Sequence, residues 1–131
     1  MRPFTASIAA ICALVLAVAP ITAAERSVPC KGNPALVGAC FTVRGTMSAH
    51  NGTPTFRIYV IATHRMLGVH GEQDGLPPDL IPTLMAPNND AFGKLFDGDY
   101  TVCPFTPERA GHMRMVCVED AKNVRVHVIE P

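Results

Sequence analysis

The sequence predicts a small, cross-linked all-β domain, and three observations support this class. Alternating apolar and polar residues flank Asn51-Gly52 on both sides, as in a β-hairpin. The part of the chain after the apolar N-terminus contains all 10 glycines, a density that favours short strands and loops over helices. The same part carries four of the five cysteines, as small exported domains stabilised by disulfides do.

Residues 1–24 form the apolar N-terminus. One early charge, Arg2, precedes an apolar run that ends in Thr22-Ala23-Ala24, which is the pattern of a secretory signal peptide cleaved before Glu25. A retained membrane anchor is the alternative, because the run is nearly as long as a bilayer-spanning helix of about 20 residues. We therefore expect a single domain over residues 25–131 in a periplasmic or secreted location.

The charge balance of this domain excludes some partners. The domain contains ten Lys and Arg residues and eleven Asp and Glu residues, so the two signs nearly balance. Net charge would therefore attract neither nucleic acid nor an anionic membrane surface. No second long apolar segment follows the signal peptide. The sequence thus predicts no nucleic-acid partner and no membrane span once the signal peptide has been cleaved.

Asn51-Gly52 is the strongest local signal in the chain. A two-residue turn there pairs Val43 with Val60, since both turn residues tolerate the positive φ that such turns need. One face of the hairpin is then apolar, and we expect it to form the core: Phe41, Val43, Met47, Phe56, Ile58 and Val60. The opposite face is polar and places Arg44 opposite Tyr59.

The remaining segments complete the order of elements. Residues 65–71 predict a third strand, and residues 79–85 predict one short helix between prolines. Segments 91–96 and 100–105 follow, separated by a tight turn at Asp97-Gly98-Asp99. The chain ends with segments 112–120 and 123–130, which a brief break at residues 121–123 separates. This order is that of a small antiparallel β-barrel of five to six strands, an OB-like (oligonucleotide/oligosaccharide-binding) Greek key with one short helix between strands three and four. An immunoglobulin-like β-sandwich is the alternative, because a turn at Asp97-Gly98-Asp99 would divide the fourth strand.

Four cysteines lie in the predicted domain, and an even number predicts two disulfides with three possible connectivities. We favour Cys30–Cys40, which would join the irregular lead-in to the first strand. The second predicted bond is Cys103–Cys117, across a hairpin closed by a loop at Arg109-Ala110-Gly111. No Cys-x-x-Cys spacing occurs, which disfavours zinc and redox chemistry.

No catalytic motif is present in the sequence. It contains no Gly-x-Ser-x-Gly, and Ser27 and Ser48 are the only serines after the predicted signal peptide. Asp90, Asp97 and Asp99 lie near one another in sequence, but they lack the spacing of a calcium loop and occur in turn-like surroundings. We therefore predict a protein that is not an enzyme, with no catalytic residues and no cofactor.

Histidine and methionine provide an alternative chemistry. His64 and Met66 would project from the same face of a strand, and His112 lies close in sequence to Met115. Imidazole and thioether ligands suit copper in an oxidising compartment, although methionine also fills irregular cores. A periplasmic copper-handling protein with these four residues as metal ligands is therefore the alternative function.

The polar face of the first hairpin is the favoured binding surface. Arg44, Arg57, Tyr59 and Arg65 can combine cationic groups with an aromatic ring, which suits a carboxylate, a phosphate or a sugar. The same residues also fit a solvated face on which Arg44 stacks on Tyr59. We predict a binding or inhibitory module of the bacterial envelope whose partner is an envelope protein, a glycan or a small anionic ligand. Loop 106–112 is a second recognition element.

Two blocks of the sequence resemble a known family. The blocks CFTVRGTMSAHNGTPTFRIYVIATHRMLGV and VCPFTPERAGHMRMVCVEDAKNVRV are similar to a family of short exported bacterial proteins with no assigned function. Together they cover about half of the predicted domain. The resemblance implies a periplasmic or secreted location, and it implies no activity, cofactor or catalytic residue.

Overall fold

The computed structural model describes residue 3, residues 17–19 and residues 29–130. Within these residues the strands are β1 (Phe41–Ala49), β2 (Phe56–Val60), β3 (Met66–Val69), β4 (Lys94–Pro104) and β5 (Arg114–Val128). A 3-10 turn at Glu72–Gly75 and the helix α1 (Ile81–Met85) lie between β3 and β4. The predicted all-β class is confirmed, and so is a short helix between the third and fourth strands.

The N-terminal prediction falls largely outside this part of the chain. The predicted signal peptide, residues 1–24, is described only at residues 3 and 17–19, and the cleavage position before Glu25 lies outside the described residues. No helix in the described part of the chain has the length and apolarity that a membrane crossing requires.

The strands form one sheet that closes on itself in the order β1-β2-β3-β5-β4, with β4 paired to β1. Most neighbours are antiparallel, but β3 and β5 are parallel. The prediction of a wholly antiparallel sheet is therefore wrong at this pair. The connection through α1 carries the chain past β3 to β4, which pairs with β1 and runs opposite to β3. The reversal between β4 and β5 then brings β5 beside β3 in the same direction.

The β1–β2 hairpin has a register two residues away from the predicted one. Gly45 pairs with Val60 and Thr46 pairs with Tyr59, so the predicted pairing of Arg44 with Tyr59 is wrong. The connection is the longer loop 50–55, closed by a hydrogen bond of 2.8 Å from the His50 amide to the Thr55 carbonyl. A shift of two residues keeps every side chain on its predicted face, since side chains alternate with a period of two.

The core lies inside the closed sheet. Met47, Phe56 and Ile58 from the predicted apolar face are buried, as expected. The other three residues of that face, Phe41, Val43 and Val60, are partly buried and pack against the same cluster. Strands β3, β4 and β5 and the helical connection supply the rest of the core: Leu67, Val69, Leu76, Leu80, Leu84, Ala91, Phe96, Tyr100, Val102, Val116 and Val118.

Tyr100 brings a hydroxyl group into this core. The hydroxyl donates a hydrogen bond of 2.7 Å to the carbonyl oxygen of Phe96. Burial raises the pKa of Tyr100 above its ordinary value. The phenol therefore stays neutral, and its one donor is satisfied inside the closed sheet.

Strand β4 is continuous through residues 97–99 and β5 through residues 121–123, so the breaks predicted at both places are wrong. Asp97 and Asp99 pair with Thr46 and Arg44 of β1, and Gly98 lies opposite Gly45. The two aspartates lie on the outer face, where their polar side chains are compatible with a strand. The opposed glycines allow the two strands to bend together.

All four predicted cysteines form disulfides, but the predicted connectivity is wrong. The bonds are Cys30–Cys117 and Cys40–Cys103. Cys103 does lie opposite Cys117 on the next strand, as expected. Cys40 nevertheless reaches Cys103 because it immediately precedes β1, whose first residue pairs with Val102. Two disulfides are typical of proteins from oxidising compartments.

Candidate functional site

Arg44 belongs to a polar ladder on the outside of the sheet. Its Nη1 lies 3.2 Å from Oδ1 of Asp99, the residue opposite it on β4. Asp99 also accepts a hydrogen bond of 2.9 Å from Nδ2 of Asn123. The hydrogen bonds from Asn123 and Arg44 hold the pKa of Asp99 below its ordinary value. Arg44 is therefore engaged in an ion pair and is not opposite the tyrosine with which it was predicted to act.

Arg57 and Tyr59 lie on the outer face of β2. The half-buried Arg57 donates a hydrogen bond of 3.1 Å from Nε to the carbonyl oxygen of Pro54, so it supports loop 50–55. Tyr59 lies between Thr46 of β1 and Met66 of β3 and is 42 % exposed. Its ring is therefore available to an external ligand next to β3.

Arg65 lies immediately before β3 and faces the β4–β5 loop (residues 105–113). Its Nη2 lies 2.8 Å from Oε1 of Glu108 in that loop. Between the two segments is a groove of about 560 Å³, which we call the arginine groove. Its lining is cationic, with three arginines and one glutamate: His64, Arg65, Met66, Leu67, Glu108, Arg109, Ala110, Gly111, His112, Met113 and Arg114.

The base of the β4–β5 loop is held by side-chain hydrogen bonds. Nε of Arg114 donates to the carbonyl oxygen of Thr106 at 3.0 Å, and the Thr106 hydroxyl accepts from the Met115 amide at 2.9 Å. The guanidinium carbon of Arg114 also lies 5.2 Å from the centroid of the Phe41 ring. The loop therefore has a fixed base, while its tip from Glu108 to His112 is exposed.

The predicted copper ligands are only partly brought together. His64, Met66 and His112 line the arginine groove, but Met115 does not. Met115 lies instead beside Met113, with both sulfurs over Gly68 of β3. The ligand set predicted from the sequence left out Met113, although the spacing of two residues between Met113 and Met115 places both on one face of the chain.

Within the described residues, three donor atoms from His, Cys, Asp or Glu residues lie close together at a place outside the arginine groove. The sulfurs of Cys30, Cys103 and Cys117 lie within 4.8 Å of one another. All three belong to the two disulfides, so they are not thiolate ligands. The histidines of the arginine groove are not part of such a three-donor group.

The three carboxylates considered from the sequence do not form a common site. Asp97 accepts a hydrogen bond of 2.5 Å from the Thr46 hydroxyl and lies 2.9 Å from Nε2 of His127. Asp90 accepts from the Phe92 amide at 2.9 Å and lines a different groove of about 440 Å³. These local partners account for the carboxylates as parts of the strand surface and of a turn.

Comparisons of the chain with protein-family models, with curated proteins and with solved structures give no match. The arginine groove and the exposed Tyr59 ring therefore provide the basis for assigning a function.

Proposed function

We propose that this protein is a non-enzymatic binding module of the bacterial envelope that holds an anionic ligand in the arginine groove. The observation that carries the proposal is the lining of that groove, which contains three arginines, Arg65, Arg109 and Arg114, and a single carboxylate, that of Glu108. Planar guanidinium groups bind carboxylates and phosphates with two parallel hydrogen bonds. An excess of arginine around an open groove favours such a ligand.

A ligand anion can replace Glu108 in the ion pair across the groove. Arg65 and Glu108 have side chains that are 43 % and 59 % exposed, so water competes for both. An exposed pair of this kind is worth about 0–1 kcal/mol, and a ligand carboxylate or phosphate can replace Glu108 at low cost. Arg109 at the exposed tip of the loop would contact the same ligand group from the other side.

Tyr59 supplies a second type of contact. It pairs with Met66, which itself lines the groove, so the aromatic ring lies next to the cationic lining. Tyrosine offers a large contact area at a small cost in conformational entropy. A ligand with an acidic group and a flat or sugar-like body would use both features.

The topology supports the same location. We propose that the closed sheet is an OB-like Greek-key barrel, because its order β1-β2-β3-β5-β4 and its helix after β3 fit that type. Barrels of this type bind ligands on the β2–β3 face and between the loops β1–β2 and β4–β5. The arginine groove lies between β3 and the β4–β5 loop, which is part of that region.

We further propose export to the periplasm or the medium. The sequence pattern of residues 1–24 and the two disulfides both support this location. The ligand would then be a component of the envelope: an acidic glycan, a phosphate-bearing small molecule or an acidic protein surface.

Binding to a panel of acidic and neutral oligosaccharides and organic phosphates tests the proposal. We expect an acidic member to bind, with an affinity that falls as salt rises. The double variant Arg65→Ala/Arg109→Ala should weaken this binding by about tenfold or more, since each charge-assisted hydrogen bond is worth about 1.5–3 kcal/mol. Arg125→Ala, an exposed arginine on β5 away from the groove, is the matched control and should bind as the natural protein does.

Two results would overturn the proposal. One is equal affinity of the natural protein and the double variant for every acidic ligand. The other is capture of an envelope protein from periplasmic extract with the same yield by both, because a partner bound elsewhere would not need the arginines.

A further inference from the structure

Three of the methionines gather on the outer face of β3 and β5. The parallel register pairs Leu67 with Arg114 and Gly68 with Met115. Met66 and Met113 are the residues that immediately precede the first of these pairs, and all three methionines are half-buried. Thioether groups from two neighbouring strands therefore share one partly open surface.

The absence of a side chain at Gly68 creates the space in which the sulfurs meet. A Cβ atom at this position would lie 2.8 Å from Sδ of Met113 and 2.8 Å from Sδ of Met115. The two sulfurs consequently flank the same point above the strand. Cγ of Pro54 lies 2.6 Å from the same point and is the third atom that bounds this space.

We propose that Met113 and Met115, with Met66 as a third donor, form a binding site for a soft monovalent cation, Cu(I). Neutral thioethers bind Cu(I) in preference to hard divalent ions. The four cysteines of the described domain are locked in disulfides, so they do not compete as thiolates. The ligand set differs from the one predicted from the sequence, because Met113 takes the place of the two histidines.

The charge around the site disfavours a divalent ion more than a monovalent one. Arg57 lies opposite Gly68 on β2, and its Nε is held by the Pro54 carbonyl oxygen. A divalent ion would meet stronger repulsion from this guanidinium group than a monovalent ion would. Met113 and Met115 are half-buried and not fully enclosed, so an ion can exchange with solvent.

The test uses Ag(I), a soft monovalent ion that needs no reductant, and the full chain carrying Cys12→Ser, which removes the one cysteine outside the two disulfides. We expect one ion per chain by calorimetry. Nuclear magnetic resonance should show shifts of the ε-methyl signals of Met66, Met113 and Met115, while that of Met85 stays unchanged. This measurement needs no substitution of the three methionines, so it remains decisive even if such a variant folds poorly.

Leucine substitutions then remove the sulfur and keep an apolar side chain of similar volume. Met113→Leu and Met115→Leu should each weaken Ag(I) binding by roughly tenfold or more. Loss of a residue that only supports a metal ligand already costs about tenfold in metal affinity, and these residues supply the ligands themselves. Met85→Leu, a half-buried methionine that lines the other groove, is the matched control and should leave the affinity unchanged. Retained affinity in Met113→Leu/Met115→Leu, or unshifted methyl signals, would overturn the site.

The proposals for the arginine groove and for the methionine site can be tested separately. Arg65→Ala/Arg109→Ala should bind Ag(I) as well as the parent chain does, because neither arginine supplies a donor to the cation. Loss of Ag(I) binding in that variant would contradict the assignment of the ligands to the three methionines.

Discussion

The ammonium group of Lys94 is enclosed by the loop that follows α1. Lys94 is 7 % exposed and is the one buried charged side chain in the described part of the chain. Its Nζ donates hydrogen bonds to the Ala86 carbonyl oxygen at 2.6 Å, to Oδ1 of Asn88 at 3.2 Å and to the Asp90 carbonyl oxygen. Three acceptors match the three N–H groups of an ammonium ion, so no donor is buried without a partner.

Removing this ammonium group should destabilise the protein. Lys94→Met keeps a long apolar side chain but leaves the Ala86 and Asp90 carbonyl groups without their charged donor. We expect the free energy of unfolding to fall by about 2–3 kcal/mol, measured by urea denaturation. Lys122→Met is the control. Lys122 is exposed and lies 3.7 Å from Asp120, and this substitution should cost about 0–1 kcal/mol. Equal stability of the two variants would contradict the role assigned to Lys94.

At the scale of single residues, the sequence did not indicate which groups of the protein the arginines contact. Arg44 and Arg65 were identified as groups that can bind an anion, yet each meets a carboxylate of the protein itself, Asp99 and Glu108. Asp99 is 55 residues away from Arg44 in sequence. Which carboxylate meets an arginine depends on the register between strands that are distant in the chain, and local patterns do not determine that register.

At the scale of elements, the β1–β2 hairpin shows what a local pattern determines. The alternation of apolar residues correctly predicted which face is buried, because only the parity of the pairing matters for the face. Turn length was predicted from Asn51-Gly52 alone, and loop 50–55 is longer than two residues. The same limitation affected β4, where Asp97-Gly98-Asp99 has turn-like composition but is paired on both sides by other strands.

Gly45 is required by the packing of β1 against β2. A Cβ atom there would lie 2.6 Å from Cγ2 of Ile58 and 2.9 Å from the carbonyl oxygen of Tyr59. The second contact is with backbone, which cannot rotate away. Gly45→Ala should therefore lower the free energy of unfolding by about 1–3 kcal/mol, as overpacked cores do. Thermal denaturation followed by circular dichroism measures the loss.

Gly38→Ala provides the matched control for this substitution. Its Cβ atom would lie 3.5 Å from Cγ of Pro104, an ordinary contact distance. We expect its melting temperature to equal or exceed that of the natural protein, since alanine restricts the unfolded chain. A melting temperature for Gly45→Ala as high as that of the control would show that β1 and β2 can separate slightly without loss.

At the scale of the whole molecule, the lead-in segment 30–40 covers part of the outer surface. Cys30, Cys103 and Cys117 form a second buried cluster, against which Leu36 and Phe105 pack. The Lys31 amide also donates a hydrogen bond of 2.8 Å to Oε2 of Glu119 on β5. The sequence could not show this arrangement, because an irregular segment has no periodicity to indicate which strands it crosses.

The disulfides join the lead-in and β1 to β4 and β5, with sequence separations of 87 and 63 residues. Bonds that close loops of this length restrict the unfolded chain strongly. Loss of either bond should lower the free energy of unfolding by about 2–5 kcal/mol. The two pairs predicted from local proximity would have closed much shorter loops and would have left Cys30 without a covalent link to β5.

Peptide mapping without reduction distinguishes these connectivities, because trypsin places each of the four cysteines on a different peptide. Cleavage after lysine and arginine yields peptides 27–31, 32–44, 95–109 and 115–122. We expect mass spectrometry to find 27–31 linked to 115–122, and 32–44 linked to 95–109. Links of 27–31 to 32–44 and of 95–109 to 115–122 would contradict the structure. Those links would remove the covalent bond between the lead-in and β5, so the lead-in could then unfold while the closed sheet remained intact.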